Sequence, residues 1–185
     1  MGIDLSETVQ QLGRPMASGT IRLEPMAEAH REGLKAACAE DLEIWAIYSV
    51  SWAPDQFDAN FDRVMSLRRW QPLVIYSDDR LVGMSFYIDV DDGRQALEIG
   101  NTYYVPDMRG SGLNRVVKDL MIRRAFDSGI RRIEFRVDTR NQRSQAALAK
   151  IGAVREGVLR ADRVTWNGHV RDTALYSILA GEWDG

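Results

Sequence analysis

The stretch Tyr103-Tyr104-Val105-Pro106-Asp107-Met108-Arg109-Gly110-Ser111-Gly112-Leu113-Asn114 joins a strand to a helix through a glycine-rich turn. Ala96 to Val105 reads as a strand that Pro106-Asp107 halts. From Gly112 to about Asp127 a helical face recurs through Val116, Val117, Leu120, Met121 and Ala125, closed by Ser128-Gly129. Small residues let backbone N–H groups crowd one spot, and the helix start adds partial positive charge. Together they make a site for a phosphate or pyrophosphate. Arg109 is expected to add a charged donor at its edge. The P-loop ending Gly-Lys-Ser/Thr is missing. The dinucleotide fingerprint fails too, because Arg115 stands where its third glycine belongs.

On the N-terminal side, Thr20–Glu24 alternates as a first strand, and Ala27 to about Ile47 carries a helical pattern. Pro54-Asp55 opens a second helix that runs through Leu67. Strands follow at Leu73–Tyr76 and Leu81–Ile88, with the turn Asp91-Asp92-Gly93 before Ala96. On the C-terminal side, Ile133–Val137 reads as a strand. A helix starts at Asn141 and closes at Gly152, and strands lie around Val154–Leu159 and Val170–Leu179. Residues 1–19, with Gly13, Pro15 and Gly19, lack periodicity and are expected to form a flexible arm; 20–185 form one mixed α/β domain.

Composition narrows the function classes. Of 185 residues, 45% are hydrophobic and 28% charged with both signs mixed, which supports a packed core. A net charge of −3 argues against general nucleic-acid binding. No apolar run approaches the ~20 residues that span a bilayer, and the N-terminus has no signal-peptide pattern. Cys38 is the one cysteine, so an intrachain disulfide is excluded and a cytoplasmic setting is expected. His30 and His169, the two histidines, lie in no ligand-spaced cluster, so no metal is expected. No Gly-x-Ser-x-Gly nucleophile elbow occurs.

The glycine turn resembles the acetyl-CoA-binding motif of the GNAT superfamily, Arg/Gln-x-x-Gly-x-Gly/Ala. Arg109 takes its first position and Gly112 its fourth, while Asn114 departs from Gly or Ala at the sixth. The element order from about Thr20 to Leu179 is also similar, as are Leu97-Glu98-Ile99-Gly100, Asn141-Gln142-Arg143-Ser144 and Gly152–Gly157. The ending Gly168–Leu179 resembles the RimJ/RimL-like branch, whose enzymes acetylate N-termini of ribosomal proteins.

The resemblance implies a GNAT fold of the α/β (α+β) class, with a mixed sheet of about six to seven strands and about four helices. It implies acetyl-CoA as co-substrate and direct acetyl transfer to a primary amine, a protein N-terminus or a small molecule, in a ternary complex. A non-catalytic acyl-CoA-binding module of the same fold is the alternative, and homodimerisation stays open. The pyrophosphate would sit on the N–H groups of Arg109, Gly110, Ser111, Gly112, Leu113 and Asn114. A backbone N–H near Tyr104 or Val105 would polarise the thioester carbonyl. Asn141 would hold the pantetheine arm, or serve as a helix cap. Glu98 would be the base and Ser144 a proton donor to the sulfur, with a solvated or capping serine as the alternative for Ser144. Glu98 lies one residue farther from Arg109 than the family pattern. Unless a bulge intervenes, that shift turns it to the outer face. Trp45, Tyr48, Trp52 and Trp70 are candidates for the acceptor pocket or for the core, Trp52 foremost for the pocket.

Overall fold

A computed structural model of the chain describes residues 5–183. Eight strands form one sheet: β1 (Met16–Ser18), β2 (Ile21–Pro25), β3 (Gln71–Ser77), β4 (Arg80–Asp91), β5 (Ala96–Tyr104), β6 (Arg132–Asp138), β7 (Val154–Val164) and β8 (Val170–Leu179). Their spatial order is β1-β2-β3-β4-β5-β6-β8-β7. Every neighbouring pair is antiparallel except β5–β6. A parallel pair needs a crossover, and here the crossover is the helix that follows the glycine turn. Five α-helices are α1 (Leu5–Leu12), α2 (Arg31–Ala39), α3 (Pro54–Ser66), α4 (Leu113–Asp127) and α5 (Gln142–Lys150). The expected fold class holds.

The extra strand and helix come from the segment expected to be a loose arm. From Leu5 onward that segment is α1 and β1. Leu12 is fully buried and Met16 nearly so, β1 pairs with β2, and Arg124 Nη1 donates to the carbonyls of Gln11 and Arg14 at 2.9 Å each. An eight-residue helix is too short to declare itself by periodicity. Its stability comes from packing, which local sequence does not display. Residues 1–4, the start of the expected arm, lie outside the described residues.

The single helix expected over 27–47 is broken. A 3-10 turn at Glu28–His30 leads into α2, and a second spans Glu43–Ile47. The break falls at Asp41. Its carboxylate accepts the Ile44 N–H at 3.2 Å and the Arg109 guanidinium at 2.6 Å, so side-chain bonds replace the helical ladder.

The two faces of the sheet are separated by residue parity. On β4, the Tyr87 hydroxyl donates to the Met121 carbonyl of α4 at 2.8 Å, whereas Phe86 packs edge-on against Trp52 beside α3. Trp45, Trp52, Phe57, Phe61 and Tyr103 fill the α2/α3 side and are almost completely buried. At roughly 25 cal/mol per Å2, side chains of this size dominate the burial term.

Candidate active site

A cleft of about 950 Å3 runs between α2/α3 on one side and α5 with the β7–β8 hairpin on the other, over the ends of β5 and β6. Two strand irregularities shape it. The parallel β5–β6 ladder stops after Glu98 opposite Glu134. Past that point the remainder of β5 and β6 diverge, and each faces the gap with backbone groups its neighbour does not pair. The second irregularity is a bulge. Met84 lies opposite Tyr103 and Phe86 opposite Gly100, so two steps along β4 match three along β5. Asn101 takes the extra step with φ 50°, a conformation Asn tolerates better than most residues.

The bulge resolves the register question at Glu98. Glu98 and Gly100 share a face with Ile88 and Phe86, and beyond the bulge Tyr103 returns to that face, its hydroxyl bonded to the Ala37 carbonyl of α2. Thr102 is switched to the α4 face. Glu98 therefore lies in the cleft and is not an outward charge. Its carboxylate arches over Gly100, where a Cβ would stand 2.6 Å from Oε1, so glycine leaves the room it occupies. Burial pushes the Glu98 pKa up to about 7, against the lowering pull of Arg136, whose Nε is 3.5 Å from Oε2. A carboxyl half-ionised near neutrality can both take and release a proton.

At the other end, Gly110 (φ 80°) and Gly112 (φ 90°) turn the chain into α4. Nothing lies within 4 Å of a Cβ at either, so the left-handed backbone and not crowding calls for glycine. The Gly110, Ser111, Gly112 and Asn114 N–H groups have no acceptor among the described residues, whereas the Arg109 N–H donates to the Pro106 carbonyl at 3.2 Å and that of Leu113 to Ser111 Oγ at 3.3 Å. Four free amides at a helix start fit a pyrophosphate.

Arg109 corrects an expectation. Its side chain turns inward: Nε donates to the Tyr104 carbonyl at 3.0 Å, Nη1 pairs with Asp41 at 2.6 Å, and buried Nη2 has no partner among the described residues. The bond from Arg109 holds the Asp41 carboxyl below its ordinary pKa. The guanidinium ties the glycine turn to β5 and to the segment after α2, and does not project as an edge donor. Val105 corrects another, because its N–H donates to the Val82 carbonyl at 2.9 Å and is not free for a thioester. Tyr104 is bonded through its hydroxyl to Asn114 Oδ1 at 3.1 Å. Asn141 caps α5, its Oδ1 accepting the Ser144 N–H at 3.0 Å. Its side-chain amide hydrogens remain for another acceptor. Asn141 and Ser144 both line the cleft.

Of the aromatic candidates, Trp45 is core, its indole bonded to the Cys38 carbonyl at 3.2 Å. Burial raises the pKa of the Cys38 thiol itself. Trp52 is fully buried at the cleft wall with an unpartnered Nε1, and Trp70 donates to Asp89 at 3.0 Å. Tyr48 donates to the Thr102 carbonyl, at the bulge, at 2.5 Å. The hairpin tip closes the cleft by Trp166 Nε1 donating to the Trp45 carbonyl at 2.8 Å.

Four cleft residues were not anticipated. Arg136, Arg163 and Arg171 surround the Glu98 end. Lys118 of α4 is buried without a carboxylate partner among the described residues. It donates to Thr102 Oγ1 at 2.7 Å and Ser85 Oγ at 3.3 Å, and burial pulls its pKa down to about 7. The one sequence signal was a lysine on the apolar side of a helix, flanked by Val117 and Met121.

Comparison with known proteins fits this geometry. Residues 20–154 match the model of the acetyltransferase (GNAT) domain. The chain belongs to the GNAT acetyltransferase family. A search of curated protein sequences gives no match. Among solved structures, this acetyltransferase is similar to a T. thermophilus protein described as an acetyltransferase, with 32% identity, 92% of this chain and 91% of that one covered, and a TM-score of 0.83. A GNAT-family protein from Chromobacterium violaceum ATCC 12472 shares 28% identity over 94% of this chain and 89% of its own, with a TM-score of 0.87. Mycobacterium smegmatis RimJ, in complex with CoA-disulfide, is alike in fold: 24% identity, 93% and 88% covered, TM-score 0.78. This acetyltransferase is thus an acetyl-CoA-dependent N-acetyltransferase. Among the described residues no His, Cys, Asp or Glu cluster fits a metal ion, and no helix is long and apolar enough to cross a membrane.

Proposed function

We propose that the chain transfers an acetyl group to a primary amine, a protein N-terminus or a small molecule, by direct attack within a ternary complex, in the manner of the RimJ/RimL-like branch. The observation that carries this reading is Glu98, held at the mouth of the β5–β6 gap with a pKa near neutrality. When bound, acetyl-CoA supplies an acyl thioester open to an unprotonated amine. The free amides of Gly110, Ser111, Gly112 and Asn114 bind its pyrophosphate. The exposed edges of β5 and β6 and the Asn141 side-chain amide orient its arm. Glu98 accepts a proton from the incoming ammonium, directly or through a water. Ser144, at the start of α5, is the proton source on the sulfur side. The Tyr104 backbone N–H is the remaining candidate for polarising the carbonyl.

Release of free CoA from acetyl-CoA, followed across a panel of amines and N-terminal peptides with mass spectrometry of the products, tests the reading. Amine-dependent release with an acetylated product is expected. Binding of acetyl-CoA with no amine consumed would leave the non-catalytic module in its place. Absence of binding at millimolar acetyl-CoA would remove both.

A further inference from the structure

Arg171 sits on β8 with only 5% of its surface exposed, at the wall of the cleft near Glu98. Its Nη2 donates to the Arg136 carbonyl at 3.0 Å, but its buried Nε has no acceptor, and it enters no ion pair among the described residues. A buried guanidinium with no direct ion-pair partner is costly, and a ligand anion would offset that cost.

The neighbouring carboxylates act on it only from a distance, each engaged elsewhere. Arg163 lies directly opposite Arg171 on β7. Asp162 is engaged by Arg163 Nε at 2.9 Å and by the Thr173 hydroxyl at 2.8 Å. Arg136 is shared between Glu98 and Glu134. Asp138 is bonded to Arg140. A second bulge sets this arrangement. Leu159 faces Thr173 and Arg163 faces Arg171, so four steps along β7 match two along β8, and Ala161 takes φ 49°. That is a strained conformation for a residue with a Cβ, and such bulges re-aim side chains beside functional clefts. Burial, and then the charge of Arg163, lower the Arg171 pKa, against the raising pull of Asp138, Glu98 and Asp162, none of which pairs with it directly.

We propose that the acetyl acceptor carries a carboxylate close to its amine, and that Arg171, with Arg163 beside it, receives that carboxylate while the amine reaches Glu98. This rests on amine acetylation at Glu98 as proposed above. A guanidinium matches the two oxygens of a carboxylate and repels a second ammonium, so polyamines are disfavoured. The carboxylate is either that of a free amino acid or the side chain of an acidic first residue in a peptide.

Matched pairs test this: glutamate against its dimethyl ester, and a peptide beginning with Asp against the same peptide beginning with Asn. Initial rates are measured for the wild type, Arg171→Lys and Arg171→Met, with acetyl-CoA affinity and thermal melting recorded for each. In the wild type the carboxylate member of at least one pair is expected to lead by about tenfold or more in kcat/KM. Which pair does so identifies the source. In Arg171→Met the ratio falls to about one, through KM. If that variant fails to fold, Arg171→Lys, expected to lower the ratio several-fold, carries the test. Equal kcat/KM within both wild-type pairs, or an undiminished ratio in the variants, overturns the inference and leaves amine acetylation standing. Where no amine turns over, calorimetry on the acetyl-CoA complex decides: glutamate binding without ester binding, lost in Arg171→Met, upholds the arginine site although the transfer reading has failed, and no binding overturns it.

Discussion

One end of the cleft is a six-residue turn, Arg109–Asn114, that offers main-chain N–H groups. The other gathers Glu98, Arg136, Arg163 and Arg171 from β5, β6, β7 and β8 and offers side chains. The turn works through backbone shape, so glycines at positive φ are its chemistry and the one prominent side chain, Arg109, is a structural tie. The Glu98 end works through burial and charge. There the backbone contributes two bulges that aim the side chains. A backbone-made site tolerates varied side chains but not a carboxylate or a Cβ at the wrong φ. A side-chain-made site depends on individual functional groups.

The largest effect expected of this contrast is at the turn. Gly112→Asp places a carboxylate at the start of α4 and forces a Cβ into φ 90°, so acetyl-CoA affinity by calorimetry should drop about a hundredfold or more. A change of less than threefold would move the pyrophosphate elsewhere.

At the other end, Glu98→Gln should lower kcat/KM by about a hundredfold, with acetyl-CoA affinity within about twofold of wild type. As the proposed base, Glu98 must be unprotonated, so the wild-type rate should climb as pH rises through about 7. A variant that keeps this limb would assign it to another group.

Between the two ends, Lys118 predicts a stability effect. Its folded pKa of about 7 lies below its ordinary 10.5, so the unfolded chain binds the extra proton across that window and stability rises with pH from about 7 to 10. Glu98 has the opposite sign: raised from 4.5 to about 7, it makes stability fall as pH rises over that interval. Lys118→Met should flatten the alkaline slope and stabilise the fold at pH 7 by on the order of 1 kcal/mol in chemical denaturation. An unchanged slope would show that Lys118 stays charged.

The smallest effect concerns Gly100. Gly100→Ala crowds the end of the Glu98 side chain and Ile88 Cδ1 at 3.0 Å, both flexible, so turnover should drop several-fold with little change in melting temperature. Full activity would mean that the carboxylate needs no fixed seat.

Legibility followed the same division. The strand, halting proline and glycine turn were readable because they act within a dozen consecutive residues. Asn141 as a cap was readable for the same reason. The break at Asp41 was not, since it depends on Arg109, far along the chain. α1 and β1 were missed because short elements are stabilised by what they pack on. Arg171 carried no signal among 24 lysines and arginines. Its distinction is being buried with no direct ion pair among the described residues, which only folded neighbours define.

By itself, then, the sequence determined the order of the main elements from Thr20 onward, the mixed α/β class and the amide-lined turn, because periodicity, proline and left-handed glycine act over a few adjacent residues. Tertiary structure decided the face on which Glu98 lies, the inward turn of Arg109 and the convergence of Arg136, Arg163 and Arg171. A bulge is a mismatch between two paired strands, and burial is a property of everything packed around a group, so neither exists until distant segments meet.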